Sequence, residues 1–326
     1  MKILVVGAGV IGTIYGYVLA EAGNTVTHYV RPGKRMDLRG GIRLHLLDGR
    51  MKRPRSLTHL YRLNVTETLS PEEGYDLCIV SVRHYQLNAL LPLLKEGAGE
   101  ADILIFNGNW EGFQVVDRCL GPSRYIWGFP VAGGGFAGGG LFGALLNEIH
   151  LGEPDGTSGP RLERIRALFQ DARIAVDVQP NMLHWLWVHF AINSGIIGAA
   201  FKAGGARELL KSVLSLRAGI LAARDALAVC RARGVDTGAF DDARLFGLPP
   251  LIGAMAVWGM MKTNQPARRI FETHNAIDEL QSMYRDVLRT GMELNIPMRD
   301  YLTLRRYVED PHVTFDSLPE QGYIEK

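Results

Sequence analysis

Six residues near the start of the chain, Gly7-Ala8-Gly9-Val10-Ile11-Gly12, constrain its fold more than any other stretch. Ile3 to Val6, just before them, is a short branched apolar run that suits a buried parallel strand. After them, apolar residues recur at helical spacing (Ile11, Ile14, Tyr15, Val18, Leu19, Ala22) until Gly23 stops the helix. Thr25 to Val30 reads as the next strand. This is the strand, turn, helix and strand context in which a G-x-G-x-x-G motif cradles a dinucleotide. Gly7 makes the tight turn, Gly9 lets the backbone approach a pyrophosphate, and Gly12 lets helix and strand pack closely. The pyrophosphate is expected on the free N–H groups at the helix start, which makes Gly7, Ala8, Gly9, Val10, Ile11 and Gly12 the cofactor-binding set.

The end of the second strand selects between cofactors. An NAD site usually carries an acid about twenty residues past the fingerprint, bonded to the ribose 2′-hydroxyl. Here Arg31-Pro32-Gly33-Lys34-Arg35 occupies that place, and no acid appears before Asp37. A carboxylate would repel a 2′-phosphate, whereas a guanidinium grips it with paired charged hydrogen bonds. NADPH is therefore the expected cofactor, with Arg31 on its 2′-phosphate.

A chain of 326 residues exceeds the size at which one core keeps growing, so two domains are expected. Net charge of +2 gives no reason to invoke nucleic acid or a membrane surface. Cys78, Cys119 and Cys230 lie far apart and match neither a metal spacing nor a disulfide framework, which fits a reducing cytoplasm and no metal site. The chain opens on a strand, not on a secretory signal pattern. Tyr125 to Asn147 carries no charge, but its eight glycines and Pro130 favour a glycine-rich pair of sheet segments over a transmembrane helix.

Further strands are expected at Gly41–Leu46, Tyr75–Val82, Ala101–Phe106, Tyr125–Ala132, Leu145–Leu151 and Ile174–Val178, with helices at Gln86–Lys95 and Gly159–Ala172. Short apolar strands alternating with helices predict a doubly wound α/β domain over residues 1–179. Ligands bind such sheets beyond the carboxyl ends of the strands, which puts Arg83 and Asn107 on the cofactor side. After Pro180 the pattern turns helical: Met182–Lys202, Ala206–Arg233, about Leu251–Met261, Ala267–Asn295 and Arg299–Glu309. Residues 180–326 are thus expected to form an all-α domain. The Met-rich segment Leu251–Met261 reads as core or as a dimer face, core being favoured.

The first of these helices carries His189 and Asn193 four residues apart on one stripe, with Trp185 a turn earlier. Polar pairs on an apolar helix are costly to bury without partners, and a bound ligand or a neighbouring domain can supply them. His184 reads as a surface residue near the helix start. Inside the long helix expected over Ala267–Asn295, Glu272 and Glu279 are seven apart and share a face, while His274 and Asp278 form an i,i+4 pair on another.

With these motifs in order, the chain resembles the ketopantoate reductase family over nearly its whole length. The resemblance rests on Gly7–Gly12, Arg31, Arg83-His84-Tyr85-Gln86, Asn107-Gly108, Trp187 with Asn193, and a Glu-bearing helix closed by Asn295-Ile296-Pro297. It implies that Arg83 contacts the cofactor and that Asn107 lies beside the nicotinamide ribose and substrate. Asn193 is implied to hydrogen-bond the substrate, and the family's glutamate falls on Glu279, with Glu272 and His274 as rivals. The family's catalytic lysine is here His189, its second asparagine is Ile197, and its serine-methionine motif is replaced by Gly259-Met260-Met261-Lys262-Thr263. Histidine still suits proton transfer near neutrality.

The expected activity is NADPH-dependent reduction of a 2-keto acid, of the 2-dehydropantoate to pantoate type used in pantothenate biosynthesis, with His189, Glu279 and Asn193 as catalytic residues. Two alternatives stay open: the same chemistry on another hydroxy or keto acid, and a catalytically silent NADPH-binding sensor. A cytoplasmic location and a possible homodimer complete the expectations.

Overall fold

A computed structural model of the protein describes residues 1–312 and Phe315. The chain separates into two compact units, Met1–Leu183 and His184–Lys326.

The first unit is organised on one sheet. Its strands are β1 (Lys2–Val6), β2 (Thr25–Tyr29), β3 (Ile42–Gly49), β4 (Arg55–Tyr61), β5 (Asn64–Thr66), β6 (Leu77–Val80), β7 (Asp102–Phe106), β8 (Tyr125–Ala137), β9 (Gly140–Gly152) and β10 (Ala175–Val178). They run in the order β4-β3-β9-β8-β7-β6-β1-β2-β5, with β10 pairing the far half of β9. From β8 across to β5 every neighbour is parallel. The central strands β1, β6 and β7 are buried almost throughout, which is why they read as unbroken Val, Ile and Leu without a polar alternation.

α1 (Val10–Glu21) joins β1 to β2, α2 (Leu87–Gly97) joins β6 to β7, α3 (Gln114–Leu120) precedes β8, and α4 (Pro160–Asp171) lies between β9 and β10. The chain steps from β1 to β2 on one side and from β6 to β7 on the other. The gap between β1 and β6 is therefore the switch point, where a doubly wound sheet takes its ligand. Around it the core is closed by aromatic edges: Tyr15 of α1 meets Phe106 at 4.8 Å and Phe169 at 6.0 Å between ring centres.

The uncharged stretch after Tyr125 is a hairpin. β8 and β9 pair antiparallel across Gly138 and Gly139, whose φ values of 53° and 77° only glycine adopts freely. No helix among the described residues is long and apolar enough to cross a membrane. β4 and β5 were not expected from the sequence. β4 is an exposed edge strand, and β5 is only three residues long, so neither carries a period-2 apolar signal.

The second unit is helical: α5 (Met182–Ala203, whose first two residues belong to the first unit), α6 (Ala206–Leu209), α7 (Val213–Ala232), α8 (Asp241–Gly247), α9 (Pro250–Thr263), α10 (Gln265–Thr273), α11 (Ile277–Glu293), α12 (Arg299–Leu302) and α13 (Arg305–Val308). Three segments expected as single helices are broken. Ser212 divides α6 from α7, its hydroxyl accepting from Ser215 N at 3.2 Å as an N-cap. His274 to Ala276 divide α10 from α11, with His274 extended at φ −70°, ψ 112°. The last segment splits into α12 and α13 at Thr303-Leu304. The stop after α11 is made by Asn295, in the left-handed region at φ 55°, ahead of Pro297. α9 buries Gly253, Ala254 and Val257 but leaves Leu251, Ile252, Met255 and Met260 more than 40% exposed, so one of its faces is not core.

Candidate active site

The glycine loop is held by one N–H, that of Gly7, and by three of its carbonyl oxygens. Gly7 N donates to Tyr29 O, Thr13 Oγ1 donates to Ala8 O at 3.2 Å, and Thr13 N donates to Gly9 O at 2.9 Å. The Gly7 carbonyl accepts from His28 Nδ1 at 3.1 Å. In a trans peptide the N–H points opposite to the C=O, so anchoring these oxygens inward turns the following N–H groups outward. The first N–H groups of α1 have no intrahelical partner either, and together they form a concave donor surface at a helix N-terminus.

The three glycines differ in why they are needed. Gly7 has φ 109°, in the region L side chains avoid. A Cβ on Gly12 would lie 2.6 Å from both Gly7 O and Ser81 Oγ, so helix and strand meet there without room for a methyl. A Cβ on Gly9 would meet nothing within 4 Å. Its open side is the space that an approaching ligand backbone or phosphate would use.

Arg31 lies two residues past β2, exposed, beside Gly33 at φ 85°. Its guanidinium has no hydrogen-bond or ion-pair partner among the described residues. The neighbouring charges are spent locally: Lys34 pairs with Asp37 at 3.0 Å, and Glu67 accepts from the backbone N of Arg35 at 2.9 Å. Two exposed guanidiniums, Arg31 and Arg35, thus stand just past β2 without a side-chain partner among the described residues, while the nearby acids are occupied.

Arg83 follows β6 and opens the short turn His84–Gln86, its Nη1 donating to the Tyr85 hydroxyl at 2.7 Å. Asn107 follows β7 and is 8% exposed. Its Nδ2 donates to Val82 O at 3.0 Å and its own carbonyl accepts from Trp127 Nε1 at 2.9 Å, but Oδ1 is buried with no partner. A buried acceptor left open is costly unless a donor arrives, and a ligand hydroxyl or amide at the carboxyl end of β7 would supply one.

In the helical unit, α5 brings Trp185 and His189 into parallel stacking at 4.8 Å, as the four-residue spacing predicts, with Asn193 half-buried one turn on. Ile197, a further turn along, is buried. Asp242 on α8 places Oδ2 3.5 Å from His189 Nδ1. Nothing in the local sequence announces this pairing, because the two residues are 53 positions apart by their numbers. His184, near the start of α5, is partly exposed: it stacks on Trp187 at 5.7 Å, and burial and the nearby Arg233 charge hold its pKa below the usual value.

The break before α11 changes the reading of the acidic candidates. Glu272 and Glu279 do not share a helix. Glu272 is 8% exposed and accepts from Arg268 Nε at 2.7 Å within α10. Glu279 sits in the first turn of α11, its Oε2 3.8 Å from Nε2 of His274 in the break. His274 thus meets Glu279 across a turn and is not stacked on Asp278 along a helix. Glu272 and His274 also line a cavity of about 20 Å³ with Gly205, Arg207 and Asn275, room for a water but not for a keto acid.

Residues 3–119 match the family model described as ketopantoate reductase PanE/ApbA. That segment is similar to the ketopantoate reductase family. The 2-dehydropantoate 2-reductase of Pyrococcus horikoshii is 28% identical over 215 residues, covering 61% of this chain; the match spans 64% of that relative's length. The fold extends further than the sequence match. The 2-dehydropantoate 2-reductase from Geobacter metallireducens GS-15 superposes with a TM-score of 0.69 over 95% of this chain and 99% of its own, at 20% identity. D-mandelate dehydrogenase, solved with NADH and anilino(oxo)acetate, gives 0.68 over 94% and 97%, at 14% identity. Over 94–95% of the chain the fold is therefore shared with these structures, an N-terminal doubly wound sheet followed by helices.

Proposed function

We propose that the protein is an NADPH-dependent reductase of a 2-keto acid, with the first unit binding the cofactor and the helical unit supplying substrate contacts and the proton. The observation that carries this reading is the outward-facing donor loop at Gly7–Gly12 beside the unpartnered cation Arg31. Gly7, Ala8, Gly9, Val10, Ile11 and Gly12 hold the pyrophosphate, Arg31 the 2′-phosphate, and Arg83 the nucleotide further along. Bound NADPH supplies the hydride. Asn107 offers its open Oδ1 at the edge of the nicotinamide and substrate. His189, aligned by Trp185 and Asp242, gives a proton to the carbonyl oxygen as it gains negative charge, Asn193 hydrogen-bonds the substrate, and Glu279 takes the family's acidic position.

Reduction of 2-dehydropantoate to pantoate is the reading closest to the relatives' names. Ile197 makes the helix face next to Asn193 apolar, and this favours keto acids with larger apolar substituents, the direction in which the neighbour D-mandelate dehydrogenase points. The test follows NADPH absorbance at 340 nm with 2-dehydropantoate, benzoylformate and unbranched 2-keto acids, and the reverse reaction with the matching hydroxy acids. Consumption with at least one of them is the expected result. Tight NADPH binding with no turnover on the whole panel would leave the sensor reading in its place. We place the contact of a homodimer on the exposed face of α9, to be checked by mass in solution.

A further inference from the structure

His28 is wholly buried near the end of β2, and nothing in the reductase reading uses it. Its surroundings determine its state. Nδ1 lies 3.1 Å from the carbonyl oxygen of Gly7, and Nε2 lies 3.1 Å from the Tyr61 hydroxyl at the end of β4. A carbonyl only accepts, so Nδ1 carries the proton, and Nε2 accepts from Tyr61. Burial pushes the pKa of His28 down to about 4, so the ring is neutral at physiological pH and both nitrogens are fully used.

The ring also accounts for a fourth glycine that the fingerprint does not require. A Cβ on Gly16 of α1 would lie 2.5 Å from Nε2 of His28. Any side chain there would drive the imidazole away from Gly7. Of the three anchored carbonyls in the loop, those of Ala8 and Gly9 are held by Thr13, within α1 itself. The carbonyl of Gly7 is held from another strand, and the peptide it fixes is the one that aims the Ala8 N–H.

We propose that His28, locked as the Nδ1–H tautomer by Tyr61, is a positioning residue for pyrophosphate binding: it fixes the Gly7–Ala8 peptide so that the Ala8 N–H faces the phosphate. This rests on the dinucleotide reading of the loop. Without the His28 donor, the part-buried Gly7 carbonyl keeps no partner among the described residues and the turn is held only by the Gly7 N–H bond to Tyr29 O, so the donor surface loosens at the point where the strand ends.

The experiment compares His28→Leu, His28→Asn and His28→Gln by fluorescence titration of NADPH on folded protein, with thermal melts alongside. Asparagine places its amide N–H where the imidazole carries Nδ1–H, whereas glutamine reaches toward the Nε2 position. His28→Leu is expected to weaken NADPH by about tenfold or more, and His28→Asn to stay within about threefold of wild type. If His28→Leu does not fold, the comparison is between His28→Asn, expected to bind well, and His28→Gln, expected to bind poorly. Equal affinity of His28→Leu and wild type, or of His28→Asn and His28→Gln, would overturn the proposal. Failure of the unsubstituted protein to bind NADPH or NADH would overturn the dinucleotide reading, and the proposal with it, before any variant is compared. A cofactor-free readout stands beside these: imidazole ¹⁵N shifts should report His28 as the Nδ1–H tautomer, and the opposite tautomer would remove the donor on which the proposal depends.

Discussion

Nδ1 of His189 stands 3.5 Å from Oδ2 of Asp242, joining the apolar helix α5 to the short helix α8. A carboxylate at one ring nitrogen orients the imidazole. Trp185 fixes the ring plane by stacking at 4.8 Å.

His189→Ala should lower kcat by roughly 10²- to 10⁴-fold, the usual worth of a general acid, with NADPH affinity unchanged. Asp242→Asn should cost about tenfold in kcat and leave the KM for the keto acid nearly as it was. Steady-state rates on the best substrate of the panel, with NADPH binding measured separately, check both. Full turnover in the alanine variant would take His189 out of the mechanism.

The candidate nucleotide-binding residues of the first unit are legible in the sequence because they are local. Gly7, Gly9 and Gly12 lie within six residues, and Arg31 follows one helix and one strand later. The helical half is less so. Phe271-Glu272-Thr273-His274-Asn275-Ala276 contains neither glycine nor proline, so the break between α10 and α11 has no strong local signal, and a continuous helix put Glu272 and Glu279 on one face. Tertiary packing overrides propensity there. The break at Ser212 was readable, since a serine three residues before another donor is an ordinary cap. Asp242 and His28 matter through partners far along the chain, His189 in one case and Gly7 in the other, and no spacing rule reaches them.

Gly9→Ala and Gly12→Ala should separate folding from binding. At Gly12 the new methyl meets the backbone oxygen of Gly7 at 2.6 Å, so stability should fall by about 1–3 kcal/mol and cofactor binding with it. At Gly9 there is open space on the protein side, so the melting temperature should barely move while NADPH affinity drops about tenfold or more, because the methyl occupies the ligand's approach. Thermal melts and fluorescence titrations on both variants give the answer. A destabilised Gly9→Ala would contradict the open space seen around that Cα.

Arg31→Ala should change the choice of cofactor and leave the binding fold intact. With no protein partner to lose, the exposed guanidinium contributes little to stability. Its removal should weaken NADPH by about tenfold or more and NADH by less than about twofold. The ratio of the two dissociation constants is the measured quantity. Equal losses for both cofactors would mean that Arg31 does not touch the 2′-phosphate.

Acid stability should report on His28. Its pKa falls from 6.5 in the unfolded chain to about 4 in the folded protein because burial penalises the charged ring. Between those values the unfolded state binds more protons than the folded one, so stability rises with pH. His28's neutral burial is therefore fully tolerated above pH 6.5, and its cost accumulates as pH falls toward 4, reaching on the order of 3 kcal/mol. His28→Asn keeps the donor to Gly7 but cannot take up the proton, so it should remove this part of the pH dependence. Urea denaturation at pH 7, 6 and 5 should show the unsubstituted protein losing more stability than the asparagine variant across the series. The carboxylates and remaining histidines contribute equally to both curves, and the difference belongs to His28. Parallel curves would mean that the ring is not held neutral in the folded protein, and the tautomer lock between Gly7 and Tyr61 would fail with it.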